Sequence, residues 1–307
     1  MVKKRDRIAF IVATKDRATE LRRMLGSLAR QSHLPDQVIL VDGGVSPVQG
    51  IEQEFAPLRI DYLRCIPPSG TRQRNEGLKW VRPEITLVGF LDDDIVLEKD
   101  TLYEMMRFWE EAPEDTGGAA FNLINHPPLF ALQLKSLPFV ERLGLYSKQK
   151  GVVLPSGFHT MIGQVPRTMF VSWLPTTAVT WRRIVFNTFQ FDEWFEGYSY
   201  LEDLDFSYRV GKKFRLAVVA NAGYSHFPAP TGRGSSFEFG RREVRNRIYF
   251  ARKHSELSVS RCYAGLLVRI LISLFLASRG ETGYYLRRMQ GNLAGLMDVL
   301  KGAEGNG

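Results

Sequence analysis

Phe90-Leu91-Asp92-Asp93-Asp94-Ile95-Val96 is the stretch whose reading decides the fold of this chain. Three carboxylates follow the apolar run Ile85 to Leu91, which predicts a buried strand. Packed acids repel one another, so such a cluster destabilises the fold unless a cation offsets it. At the carboxyl edge of a strand, Asp-x-Asp places two side chains on one side of the chain. That arrangement suits Mg²⁺ or Mn²⁺, which take oxygen ligands and favour phosphates. The competing reading is a solvated acidic turn that caps a helix starting near Lys99.

On either side of this stretch, strand and helix signals alternate. Ile8 to Val12 reads as a first buried strand, after which Leu21, Met24, Leu25 and Leu28 recur at helical spacing. Gln37 to Val41 reads as a second strand ending at Asp42-Gly43-Gly44, and Leu58 to Leu63 as a weaker third. Helices are predicted over Thr71–Trp80 and Lys99–Glu111. The alternation predicts an α/β fold with a mostly parallel central sheet flanked by helices. Ligands of such sheets bind beyond the carboxyl ends of the strands, where Thr14, Asp42 and Asp92 to Asp94 all fall. Asn125 to Pro166 is rich in Pro, Gly and mixed polar residues and reads as an insertion or mobile segment. Regular signals return at Thr176 to Trp181. Next come a helix over Tyr200–Val210 carrying Glu202, Asp203 and Asp205, a strand over Phe214–Val219, and a loop holding His226. A basic helix over Ser236–His254 and helices over Arg261–Ser278 and Thr282–Leu300 complete the chain. The expected division is a domain over residues 1–255, with 125–166 inserted in it, and a basic amphipathic helical tail over 256–307.

The 307 residues carry a net charge of +8, and the excess is concentrated at one end: from Arg241 onward there are 12 Lys/Arg against 5 Asp/Glu, or +7. Such a patch attracts phosphates or anionic lipid. No aromatic-interleaved nucleic-acid motif accompanies it, so no nucleic-acid partner is expected. Two cysteines, Cys65 and Cys262, form neither a disulfide framework nor a zinc spacing. The basic start leads into a short strand-like run rather than a signal peptide. These features fit a cytoplasmic protein.

The Asp triplet, the strand-end Asp42, the Arg72-Gln73-Arg74-Asn75-Glu76-Gly77 helix, the Glu202-Asp203-Leu204-Asp205 acids and the His226 loop occur in that order. As an ordered set, from about Ile8 to about Pro228, they resemble the family 2 inverting glycosyltransferases with the GT-A fold. The resemblance implies a nucleotide-sugar donor, UDP- or dTDP-linked, and an acceptor hydroxyl on a glycan or lipid-linked saccharide, as in bacterial-type surface glycan or glycolipid synthesis. It implies that Thr14, Asp16 and Arg17 border the nucleotide base, and that Asp42 accepts from the pyrimidine N3–H. On chemistry alone, Asp42 is as well read as the former of the Gly43-Gly44 turn. Arg72, Arg74 and Asn75 would support the nucleotide, with the choice between the two arginines left open. Asp92 would approach the ribose or sugar, Asp93 would lie between, and Asp94, with Asp92 and His226, would bind Mg²⁺ or Mn²⁺. Asp203 is implied as the general base, with Glu202 the runner-up, although acids there also suit a helix N-terminus. Trp194 and Trp181 are placed on the acceptor side, against the commoner role of Trp in cores.

The run Tyr263 to Ala277, broken by Arg269, is shorter than the roughly 20 residues that span a bilayer. It reads as a core helix or as an interfacial helix making a peripheral contact at the inner face of the membrane. Two other functions fit parts of the pattern. A sugar-phosphate nucleotidyltransferase would need a glycine-rich phosphate loop after the first strand, whereas Thr14-Lys15-Asp16-Arg17-Ala18 has no glycine. A non-catalytic membrane-surface scaffold would not need the complete acidic and His positions.

Overall fold

A computed structural model of the chain describes residues 5–125, 138–142, 144–228, 235–278 and 282–302. In chain order the elements are β1 (Ile8–Thr14), α1 (Ala18–Ala29), β2 (Gln37–Asp42), β3 (Ile60–Arg64), α2 (Gly70–Leu78), β4 (Leu87–Asp92), β5 (Ile95–Leu97), α3 (Thr101–Glu111), β6 (Thr116–Leu123), α4 (Pro138–Arg142), β7 (Met169–Val171), β8 (Ala178–Arg182), α5 (Glu202–Gly211), β9 (Arg215–His226), α6 (Ser236–Lys253), α7 (Val259–Ala277) and α8 (Thr282–Leu300). They form two compact units, one from residues up to 127 with 162–229, the other from 128–161 with 230–307. This differs from the sequence-based division in two ways. Within 125–166, the described residues 138–142 and 144–161 belong with the C-terminal helices, and so does α6.

Among the described residues the first unit holds a nine-stranded sheet in the order β3-β2-β1-β4-β8-β6-β9-β5, with β7 beside β9. β3, β2, β1 and β4 are parallel, as the strand–helix alternation predicts. β8 runs antiparallel to both β4 and β6, so β6 and its parallel neighbour β9 run in the same direction as β4, and the sheet is mostly parallel with antiparallel strands within it. β1 and β2 are buried along nearly their whole length, which is why they read as unbroken apolar runs. The period of two divides β1 between the two faces. Ile8, Phe10 and Val12 pack with Leu21, Leu25, Met105 and Trp109 of α1 and α3. Ile11 meets α2 on the other face, where a Cβ on Gly77 would lie 2.5 Å from its Cγ2.

β6, which propensity does not reveal, contains Gly117 and Gly118 because its neighbours are large. A Cβ on Gly117 would lie 2.5 Å from Phe214 Cβ, and one on Gly118 would overlap the Trp181 ring. In the second unit, α6 and α8 approach at glycine positions. Cβ atoms at Gly240 and Gly291 would overlap the backbone carbonyls of Arg288 and Phe237. The core there is Val244, Ile248, Ala251, Cys262, Leu266 and Val299. Glu243 lies fully buried among the three helices, 3.0 Å from Arg269 and 2.9 Å from Arg288, and these cations hold its pKa down to about 2 against the effect of burial.

Candidate active site

β1, β2 and β4 end side by side, with Thr14 opposite Asp42 and Ala13 opposite Asp92. The Asp triplet forms the turn between β4 and β5. His226, 132 residues from Asp94, reaches it because β5 and β9 are antiparallel with Ile95 opposite His226. The Phe227 amide donates to the Asp94 carbonyl at 2.9 Å, and His226 Nε2 lies 3.0 Å from Asp94 Oδ1. One ligand atom from each of Asp92, Asp94 and His226 falls within a 4.8 Å cluster. Two carboxylates and an imidazole form a donor set that fits a borderline divalent ion such as Mn²⁺.

Neighbouring cations and donors already act on these acids. Thr14 Oγ1 donates to Asp93 at 2.7 Å, and Arg17 lies 3.0 Å from Asp93 and 3.5 Å from Asp94. Burial pushes Asp93 up to about 6, opposed by Arg17 and by the Thr14 hydrogen bond. Arg17 thus reaches the acids themselves. Asp16 accepts from the Ser46 amide at 2.9 Å and fastens the loop after β2.

Asp42 is wholly enclosed and takes four donors: the Gly44 and Val48 amides, the Tyr62 hydroxyl and Arg64. These bonds realise the turn-forming role. A base could share this carboxylate only by displacing one of those donors.

α2 distributes its polar residues by face. Gln73 points into the sheet and donates to the Thr14 and Val41 carbonyls at 2.9 and 2.8 Å. Arg72 and Asn75 lie against the Phe191–Glu193 segment: Arg72 is 3.5 Å from Glu193, and Asn75 donates to the Phe191 carbonyl at 3.0 Å. Arg74 alone of the two arginines enters the acidic cluster. Its guanidinium lies 3.3 Å from Asp92 and 2.8 Å from Glu202, above the Phe191 ring. Arg74 therefore bridges an acid at the end of β4 and an acid at the start of α5.

Glu202 also accepts from Thr176 Oγ1 at 3.0 Å. Asp203, next to it in the first turn of α5, is partly exposed. Burial raises both carboxyls, Asp203 to about 6, while Arg74 pulls both down and the Asp92 charge pushes both up. A carboxylate raised in this way is a better base at neutral pH. Asp205 is buried and paired with Arg209 at 2.9 Å, a structural role. The turn that presents these acids includes two non-glycine residues in the left-handed region, Ser199 at φ 53° and Leu201 at φ 73°.

The two tryptophans differ. Trp194 is partly exposed. Trp181, expected on the acceptor side, is fully buried on β8 with its ring 5.0 Å from that of Phe206. No sugar can reach it, and it is a core residue.

The sequence profile described as Glycosyl transferase family 2 matches residues 9–162, half of the chain. The chain belongs to that family. It is a glycosyltransferase, and its sheet and flanking helices are those of the GT-A fold. None of the curated proteins matches it in sequence. Among solved structures it is similar to the mannosyltransferase PcManGT from Pyrobaculum calidifontis in complex with GDP-Man and Mn²⁺, with a TM-score of 0.57, 13% identity, and 96% and 88% of the two chains covered. It is also similar to S. aureus TarS 1-349 in complex with UDP-GlcNAc, with a TM-score of 0.52, 17% identity, and 88% and 72% covered. Against the longer S. aureus TarS chain the TM-score is 0.54 at 17% identity, and the match takes in 88% of this chain but only 43% of TarS.

Several residues of this glycosyltransferase site carried no sequence signal. Thr176 lies in a loop before β8, Tyr62 lies on the weakest predicted strand, and Arg64 lies one residue beyond that strand's predicted end. Each matters only because the sheet brings it beside an acid.

Proposed function

We propose that this glycosyltransferase transfers a sugar from a nucleotide-diphosphate donor, with inversion, to a hydroxyl of a glycan or lipid-linked acceptor. The observation that carries this reading is Arg74. It joins Asp92, in the cluster with Asp94 and His226, to Glu202, beside the partly exposed Asp203. A donor side and an acceptor side thus meet at one buried guanidinium.

Asp203 takes the proton from the acceptor hydroxyl. The acceptor oxygen then attacks the anomeric carbon from the face opposite the diphosphate, the bond to the diphosphate breaks, and the nucleoside diphosphate leaves with the electron pair. A single displacement of this kind inverts the anomeric centre. Arg74 holds Glu202 in place and keeps its charge close to Asp203 and Asp92. Asp92, Asp94 and His226 would hold a divalent ion, which supplies positive charge for the departing diphosphate. Thr14 and Arg17 orient Asp93 next to them. Trp194 is the aromatic surface available to an acceptor sugar. The solved neighbours carry UDP-GlcNAc in one case and GDP-Man with Mn²⁺ in the other. A UDP- or dTDP-sugar is the donor proposed here. The two cysteines, both buried and unpaired, fit a reducing compartment and hence the cytoplasmic side.

The test is a screen of nucleotide sugars for slow hydrolysis with Mn²⁺, which needs no acceptor. One donor turned over above the rest, with loss of turnover in Asp203→Asn, is the expected result. Absence of both binding and turnover for every nucleotide sugar would overturn the reading.

A further inference from the structure

α7 and α8 pack against each other, and each carries a stripe of apolar side chains on an exposed face. On α7 the stripe is Leu267, Leu271, Leu274 and Phe275, 41–63% exposed. Their spacing of three and four places them on one side of the helix. The other side of α7 carries Cys262 and Leu266 in the core and Arg269 paired to Glu243. On α8, Leu286, Leu293, Met297 and Leu300 are 38–79% exposed and share one side with the exposed Gln290, while Asn292 and Val299 are buried. Isolated exposed leucines are ordinary, but eight large apolar groups on two packed helices are not.

Basic residues border both stripes. On α7, Arg261 lies roughly a third of a turn from the leucines, and Arg287 on α8 and Lys301 just after it flank theirs; all three are exposed. Long cationic side chains at such borders bury their stems and keep their charges in the headgroup layer.

We propose that this face docks on an anionic lipid surface, with α7 and α8 lying in the plane of the interface. α7 is long and apolar enough to cross a bilayer, since the helix starts at Val259 rather than Tyr263. Crossing would, however, strip Arg269 from Glu243 and the Cys262–Leu266 side from its core. Lying flat preserves both. A second copy of the chain is a poorer occupant, because each copy would bring the same basic border and the +7 segment to the contact. The proposal concerns where the enzyme sits, and its readout involves neither donor nor acceptor.

The experiment uses the full chain and vesicles of phosphatidylcholine, with or without phosphatidylglycerol, pelleted at low and high salt. Binding is expected only with the anionic lipid, and roughly tenfold weaker at high salt because exposed charges are screened beyond a Debye length. Leu271→Glu/Leu293→Glu, checked for folding by circular dichroism, should bind at least roughly tenfold less. Arg261→Glu/Arg287→Glu leaves the apolar stripes intact and should lose the preference for anionic lipid, which keeps the test decisive if the first variant does not fold. Three results would overturn the proposal: no pelleting of the wild type with anionic vesicles at low salt, equal pelleting of wild type and both variants, or a lipid-free dimer that the leucine substitutions abolish.

Discussion

Arg74→Met removes the cation shared by Asp92 and Glu202 while keeping much of the apolar volume of the side chain. Glu202 Oε1 would be left with Thr176 as its remaining donor in the site described. Removing one partner of a buried ion pair costs about 3–5 kcal/mol, because the other charge stays buried without compensation. Both side chains are 10% exposed, so the lower end, about 3 kcal/mol, applies where Glu202 is ionised, above the value of about 8 to which burial raises it. Asp92 is 33% exposed and water takes over from Arg74, so that contact adds little.

The pH dependence follows from the direction of the Glu202 shift. Burial raises Glu202 above its ordinary value of 4.5, and Arg74 opposes that rise. Without Arg74 the folded-state value climbs further. The folded variant then binds a proton more tightly than the unfolded chain, so its stability falls as pH rises from the unfolded value toward the folded one. The deficit is therefore largest at alkaline pH, shrinks as pH falls from the variant's folded value to the wild type's, about 8, and is level below that because the unfolded value is common to both. The assay is urea unfolding followed by Trp emission. All five tryptophans, Trp80, Trp109, Trp173, Trp181 and Trp194, belong to the first unit, so the signal reports on that unit. In a double-mutant cycle with Glu202→Gln, the pair should show a coupling of about 2 kcal/mol. A deficit under about 0.5 kcal/mol on the alkaline side of about pH 8, or one that grows on acidification, would refute the bridging role.

Asp94→Ala should abolish any strengthening of UDP binding by Mn²⁺; metal-independent binding with full activity in chelator would remove the metal site from the reaction. Asp203→Asn should keep donor binding and lower transfer by roughly 10²–10⁴. Because burial raises Asp203 to about 6 and a base acts deprotonated, wild-type kcat/KM should fall as pH drops below about 6. Normal transfer by that variant, with Glu202→Gln inactive, would move the base to Glu202. Gly291→Leu forces a side chain against the Phe237 carbonyl and should lower the stability of the helical unit by about 1–3 kcal/mol in circular dichroism melts.

How much of this fold could be read in advance depends on what fills the space beside each element. β1, β2 and β4 are covered on both faces, so burial alone dictates long apolar runs and the chain announces them. β6 is equally buried but lies against Trp181 and Phe214, and its own residues are glycine and alanine where a reader looks for valine. β5 has three residues and no period to detect, yet its pairing with β9 is what delivers His226 to Asp94. Trp181 misleads for the converse reason: one residue type serves cores and sugar sites alike, and only the 0% exposure on β8 separates the two.

The arginines of α2 show where sequence reading stops and why. Arg72 and Arg74 are two residues apart, which on a helix is about 200° of rotation, so they cannot serve the same ligand. Helical periodicity alone therefore requires that one of them face the site and the other face elsewhere. It does not say which, because the rotation of α2 is fixed by contacts absent from the local sequence. Gly77 must lie against Ile11 and Val41, and Gln73 must reach the Thr14 and Val41 carbonyls. With residues 73 and 77 held on the sheet, Arg74 is turned toward Asp92 and Glu202, and Arg72 toward Glu193. The same contacts make Gln73 the hydrogen-bonded pin that sets the rotation. The identity of the bridging arginine thus follows from the packing of its neighbours, and Arg74 carries the acidic site because Gln73 and Gly77 anchor the helix beneath it.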